Sequence, residues 1–186
     1  MIRLLGISGS LRRGSYNTAL LRAAAALAPE GVLLEGRTLH GIPLYDGDAE
    51  AAHGIPEAVA ALKEAIAAAD GVLLVTPEYN NGISGVFKNA IDWASRPPAD
   101  CARVFNGRPF AVIGASPGGF GTMLAQAHWL PVLRTLGANL WTEGRLMVSR
   151  AGNVFDDDGA LADPRVRAQL QAFVAGFAAS VARAKG

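Results

Sequence analysis

The run Val72–Val75 limits this chain's fold more than any other stretch. It is apolar without alternation and stops abruptly at Thr76-Pro77. A short strand apolar on both faces belongs in a sheet covered on both sides. After the polar turn Glu78–Gly82, apolar residues return at Val86, Phe87, Ala90, Ile91 and Trp93, which is helical spacing, with Lys88 and Asp92 four apart on the other side. The same strand, turn and helix pattern recurs along the chain. Met1–Ile7 leads through Ser8-Gly9-Ser10 into a helix over Asn17–Ala28, and Pro29 ends it. Val32–Leu39 is followed by the long mixed loop Gly41–Gly54 and a helix from Pro56 to Ala69. Pro109–Ala115 leads through Ser116–Gly121 into a helix over Thr122–Leu136, which Pro131 kinks or splits. Arg96–Asn106 reads as a polar connection. Asn139–Trp141 reads as a fifth strand, continued irregularly by Gly144–Asn153. Asp163 caps a last helix, with Pro164 at its first position.

Strands that alternate with helices imply a parallel sheet. Right-handed crossovers leave few arrangements. The expected fold is α/β and flavodoxin-like: a five-stranded parallel sheet of order 2-1-3-4-5, helices on both faces, and a single domain over residues 1–186. In that order the loops after strands one, three and four meet at the switch point, where such folds bind ligands. These three loops also carry the unusual chemistry.

The formal net charge of +1 gives no electrostatic reason to expect nucleic acid or an anionic membrane as partner. A lone Cys101, without a His or Cys cluster, fits a reducing compartment and reads as a half-exposed thiol rather than a nucleophile or metal ligand. Arg12-Arg13 before an Ala-rich stretch imitates an export signal. Arg22 interrupts that stretch and a strand precedes it, so the expectation is a cytoplasmic protein. No apolar run is long enough to span a bilayer.

The first loop, Gly6–Asn17, lacks the glycine pattern of a dinucleotide fold and the Gly-Lys-Ser/Thr of a nucleotide P-loop. It does place Ser10, Ser15 and Asn17 with Arg12 and Arg13 at the start of a helix. That set can surround a phosphate through hydroxyls, amides and a guanidinium. It is equally compatible with a plain turn in which Asn17 caps the helix. In the second loop, Pro77 sets the turn, Tyr79 offers a flat face, Glu78, Asn80 and Asn81 offer polar groups, and Gly82 permits close approach. This suits a planar heteroaromatic ring; the plain alternative is a tight loop turning at Asn81-Gly82. In the third, Ser116, Gly118 and Gly119 can form a backbone wall, or simply lead into a helix. Jointly the loops specify FMN. His40, His53 and His128 lie outside them and read as structural or exposed.

Gly9-Ser10-Leu11-Arg12 with Ser15 and Asn17, Pro43–Asp46, and Thr76–Asn80 followed by Lys88–Trp93 resemble the NADPH-dependent FMN reductase family, which includes bacterial quinone, chromate and azo-dye reductases. The resemblance implies FMN phosphate at Ser10, Arg12, Ser15 and Asn17. It implies the ring edge at Pro77, Glu78, Tyr79, Asn80 and Gly82, with Ser116, Gly118 and Gly119 closing one side. It further implies NAD(P)H as donor, ping-pong hydride transfer through flavin N5 to a quinone-like acceptor, no catalytic side chain, and a homodimer or homotetramer with the flavin near a subunit boundary. Ser84 departs from the family, which usually has proline there. A flavin reductase serving a monooxygenase is the nearer alternative. A flavodoxin-type electron carrier would be strongly acidic, and a flavin-free phosphate-binding module is more distant.

Overall fold

The computed structural model describes residues 1–185. In chain order the elements are β1 (Ile2–Ser8), α1 (Tyr16–Ala26), β2 (Val32–Arg37), α2 (Gly47–His53), α3 (Glu57–Ala68), β3 (Gly71–Val75), β4 (Glu78–Tyr79), β5 (Gly82–Ile83), α4 (Gly85–Ala94), α5 (Pro98–Phe105), β6 (Pro109–Ala115), α6 (Met123–Thr135), β7 (Asn139–Leu140), β8 (Met147–Val148), a 3₁₀ turn at Ala151–Asn153, and α7 (Pro164–Lys185). The main sheet is parallel and runs β2-β1-β3-β6-β7, with β8 also paired to β6.

The sheet therefore has six strands rather than five, because two short strands share the last position. β7 pairs with the start of β6 at Pro109 and Phe110, and β8 with its end at Gly114 and Ala115. Between them the chain leaves the ladder. There Gly144 lies so close to the Trp141 ring that a Cβ could not fit.

The unalternating strands now have their reason. Leu73 and Val75 pack on one face with α1 and α7, through Leu20, Phe173 and Phe177. Val72 and Leu74 pack on the other with α3, α4, α5 and α6, through Ile66, Phe87, Phe105 and Trp129. Each fully buried side chain of this size contributes roughly 1.5–3 kcal/mol.

Three expectations change. Arg96–Asn106 is not a polar connection but carries α5, with Pro98 in its first turn and Val104 and Phe105 buried. Its polar side joins α3: Lys63 meets Asp100 at 2.7 Å and Arg103 meets Glu64 at 2.7 Å. Hydrogen bonds from Arg103 and then Lys63 hold the Asp100 carboxyl well below the usual carboxylate range. The loop Gly41–Gly54 contains α2, capped by Asp46, whose carboxylate accepts from the amides of Asp48 and Ala49. Pro131 does not split α6, which is one helix from Met123 to Thr135. Trp93 is buried in the core, and its indole N–H donates to the Pro43 carbonyl at 2.9 Å. Lys88 and Asp92 form the expected exposed pair on α4.

Candidate functional site

The first loop is fixed at both ends. At its start the Gly9 amide donates to the Val75 carbonyl at 2.9 Å. A Cβ on Gly9 would strike the Phe87 ring and Pro77, so the close approach of the first two loops requires glycine. At its end Ser15, not Asn17, caps α1: its hydroxyl accepts from the Thr18 amide at 3.3 Å. Asn17 is 4 % exposed. Its amide group donates to the Ala115 carbonyl and accepts from the Ala115 N–H, both at 2.9 Å. The side chain thus clamps α1 to the end of β6. Ser10 is buried and its hydroxyl accepts from the Arg12 amide. Ser10, Arg12, Ser15 and Asn17 all lie on the segment that leads from β1 into α1, a helix whose first amides lack intrahelical acceptors. The His40 ring lies 3.2 Å from the Leu11 carbonyl, so this histidine borders the first loop rather than standing apart from it.

The second loop is a hairpin of β4 and β5. Tyr79 pairs with Gly82, which makes Asn80 and Asn81 the turn residues instead of Asn81 and Gly82. Both asparagines have positive φ, 48° and 62°, as a type I′ turn requires. Three contacts hold this hairpin from outside. One oxygen of the Glu78 carboxylate accepts from the amides of both Leu124 and Ala125, each at 2.9 Å. Gly82 lies against the His128 ring, which brings that histidine to the hairpin as well. Ser84, 3 % exposed, donates its hydroxyl proton to the Gly9 carbonyl at 2.8 Å. The serine where proline was expected therefore ties the second loop to the first. Pro77 is buried at the base, while Tyr79 is half exposed.

In the third loop the Ser116 hydroxyl donates to the Gly121 carbonyl at 2.6 Å, closing a small ring of backbone. Gly118 and Gly119 are exposed at its tip, and the Gly118 carbonyl accepts from the Arg150 amide at 2.9 Å. Beneath it, Gly114 packs so tightly against the Thr76 carbonyl and Thr122 that no Cβ fits.

Between the first two loops lies an open cleft of about 450 Å³, lined by Gly9, Ser10, Leu11, Arg12, Tyr79, Ser84, Gly85 and Val86. Of the residues singled out in the sequence, Ser10, Arg12 and Tyr79 line it, whereas Ser15, Asn17, Pro77, Glu78, Asn80, Gly82, Ser116, Gly118 and Gly119 do not. The lining combines the Ser10 hydroxyl and the Arg12 guanidinium with apolar surface at Leu11 and Val86, and Gly85 faces open space. Its side chains offer the hydroxyls of Ser10, Tyr79 and Ser84 and one guanidinium, that of Arg12. A molecule with a phosphate at one end and a flat apolar ring at the other fits that combination, as FMN does. Among the described residues no cluster suited to a metal ion occurs, and no helix is long and apolar enough to cross a membrane.

The bracing roles of Asn17, Glu78 and Ser84 were outside the reach of sequence reasoning, which saw only polar side chains in loops. Their partners are 98, 46 and 75 residues away.

Residues 2–153 match the family model described as NADPH-dependent FMN reductase. The chain is 48 % identical over 170 residues to an NAD(P)H-dependent FMN reductase of Pseudomonas aeruginosa, covering 91 % of this chain and 90 % of that one. It is 39 % identical over 180 residues to a 2-hydroxy-1,4-benzoquinone reductase of a Burkholderia species, covering 97 % and 96 %. Among solved structures, the NAD(P)H:(acceptor) oxidoreductase FerB of Paracoccus denitrificans superposes with a TM-score of 0.85 at 35 % identity, covering 98 % of each chain.

Proposed function

This chain belongs to the NADPH-dependent FMN reductase family, and from that premise we propose that it uses FMN to pass electrons from NAD(P)H to a small quinone-like acceptor. The observation that carries this reading is the cleft between the first two loops, polar at Ser10 and Arg12 and apolar at Leu11, Tyr79 and Val86. Relatives named as quinone reductases support the class of acceptor.

Ser10, Arg12 and Ser15, with the first-turn amides of α1, would hold the phosphate. Asn17 retains one amide hydrogen beyond the bond to Ala115 and can add it to that set. Pro77, Tyr79, Asn80, Gly82 and the backbone of Glu78 would border the ring, and Ser116, Gly118 and Gly119 would close the side toward β6. When bound, FMN supplies the two-electron chemistry. The chain's residues bind and orient it, and no side chain of the cleft lining is assigned an acid or base role. Left-handed Asn80 and Asn81 turn the hairpin back on itself, which keeps the Tyr79 backbone at the cleft.

Release of reduced FMN to a monooxygenase remains the second reading, favoured by the openness of the cleft along Gly85 and Val86. The net charge of +1 argues against a flavodoxin-type carrier that meets basic partners. A single cytoplasmic domain that forms a homodimer or homotetramer completes the proposal. The loop Pro43–Asp46 supports the oligomer: Asn89 and Trp93 both donate to the Pro43 carbonyl, and Leu44 projects from this braced loop 82 % exposed.

Steady-state oxidation of NADH and NADPH with benzoquinone, in the presence of FMN and without any partner protein, tests the function. Parallel double-reciprocal lines as the acceptor is varied are expected. Loss of FMN on gel filtration, with NAD(P)H oxidation that then rises in proportion to free FMN added back, would favour the second reading.

A further inference from the structure

We propose that the Glu78 carboxylate is a positioning group with two separable effects: it clamps the β4–β5 hairpin to the start of α6, and its charge holds bound FMN toward the oxidised state. The inference rests on the FMN reading above and assigns a role to a side chain that touches neither phosphate nor ring.

The first effect follows from hydrogen bonding. A helix begins with amides that lack intrahelical acceptors, and a side chain at the cap position ordinarily supplies one. Thr122, at the cap position of α6, makes no such bond; its hydroxyl accepts instead from Gln126. Glu78, 46 residues earlier, takes over that task by accepting from Leu124 and Ala125. The hairpin is therefore fastened at β4 by this carboxylate and touched at β5 by His128 on the same helix. The next residue after Glu78 is Tyr79, which lines the cleft. A shift of the clamp is transmitted to the cleft wall through a single peptide unit.

The second effect follows from charge. The start of a helix carries roughly half a positive charge, and the carboxylate over-compensates it. A net negative charge is left one residue from Tyr79, which lines the cleft. Two electrons taken up with one proton add one net negative charge to FMN, and a fixed negative charge nearby opposes that change.

Because one carboxylate oxygen accepts both amide bonds, a glutamine can keep the clamp with its single carbonyl oxygen while removing the charge. Alanine removes both. Wild type, Glu78→Gln and Glu78→Ala are reconstituted with FMN, and two quantities are measured. Affinity for oxidised FMN is read by flavin fluorescence quenching, and the midpoint potential by reductive titration against a reference dye. Glu78→Gln is expected to move the midpoint in the positive direction, raising the ratio of reduced to oxidised FMN affinity on the order of tenfold, or about 30 mV for a two-electron couple. Glu78→Ala is expected to weaken oxidised FMN on the order of tenfold more than Glu78→Gln does. A midpoint for Glu78→Gln that is unchanged or more negative overturns the charge effect. Equal affinities for oxidised FMN in the two variants overturn the clamp.

Amide hydrogen exchange in the wild-type apoprotein covers the case in which a variant does not fold. Slow exchange at Leu124 and Ala125 supports the clamp, and exchange at the rate of an open loop contradicts it. A wild-type protein that binds no FMN would defeat the functional reading instead, and the exchange experiment keeps the two failures apart.

Discussion

The loops that flank the cleft are held in opposite ways. The first, between β1 and α1, spends its side chains mainly on its own chain: Ser15 caps the helix it enters, Ser10 accepts from Arg12 two residues on, and Asn17 alone among these side chains reaches far, to Ala115, while the Gly9 backbone meets Val75 and Ser84. The hairpin after β3 is fixed from outside, by Glu78 on α6, by contact of Gly82 with His128, and by Ser84 on Gly9. A loop that closes on itself leaves its guanidinium and helix amides free for a ligand. One that spends its side chains on distant elements offers a ligand its backbone and its flat surface. That difference matches the proposed division between a phosphate half and a ring half, and substitutions can break it.

The largest effect is expected at Asn17. Asn17→Ala leaves both the N–H and the carbonyl of buried Ala115 without a partner, which costs about 2–4 kcal/mol. Denaturant unfolding of the apoprotein reads that loss. A stable apoprotein that has lost FMN alone would show Asn17 to be a ligand contact and not a clamp. Next comes Arg12→Ala, which removes an exposed guanidinium from the phosphate half. FMN affinity should fall by about tenfold while riboflavin affinity stays constant, and the difference should shrink in high salt. Titration of both flavins at two salt concentrations decides it.

Ser84 sharpens the comparison because it joins the two loops. Ser84→Ala leaves the buried Gly9 carbonyl without its donor and should cost about 1 kcal/mol in unfolding free energy. Ser84→Pro should cost less. The native φ of −59° suits proline, and the stiffer unfolded chain offsets about 0.4–1 kcal/mol.

The smallest effect on the cleft is expected at Asp100, far from both loops. Its folded carboxyl is held low by Arg103 and Lys63. The stability this contributes is present above the unfolded carboxylate value near pH ~4 and is lost as pH falls through the lower folded value. Asp100→Asn should therefore flatten the acid limb of the stability curve and leave FMN affinity unchanged. A change in affinity would mean that α5 communicates with the cleft.

Much of this organisation was legible in the residues. The unalternating run at Val72–Val75 announces a sheet covered on both faces, and crossover handedness leaves few orders for its strands. Local chemistry also placed Asp163 and Pro164 at the start of α7, where the Asp163 carboxylate accepts from Arg165 and Val166. Short amphipathic helices were harder to read. In α5 two prolines and the surrounding charges mask a helix that only its buried Val104 and Phe105 reveal. In α2 nothing is buried, so no apolar period exists to be seen. The turn was misplaced by one residue because Asn-Gly is the stronger hairpin signal, yet the pairing of Tyr79 with Gly82 puts Asn80-Asn81 at the corner. The sequence singled out three loops, but the tasks of Asn17, Glu78 and Ser84 were not legible in it, since each depends on a partner that only the folded topology brings near.

A saturation titration of the wild-type apoprotein with FMN, set beside one with riboflavin, bears most directly on the proposed site. One FMN bound per chain, at least about tenfold tighter than riboflavin, is the expected result. Equal affinity for the two flavins, or no saturable binding of FMN, would contradict a cleft with a phosphate half at Ser10 and Arg12 and a ring half at the hairpin.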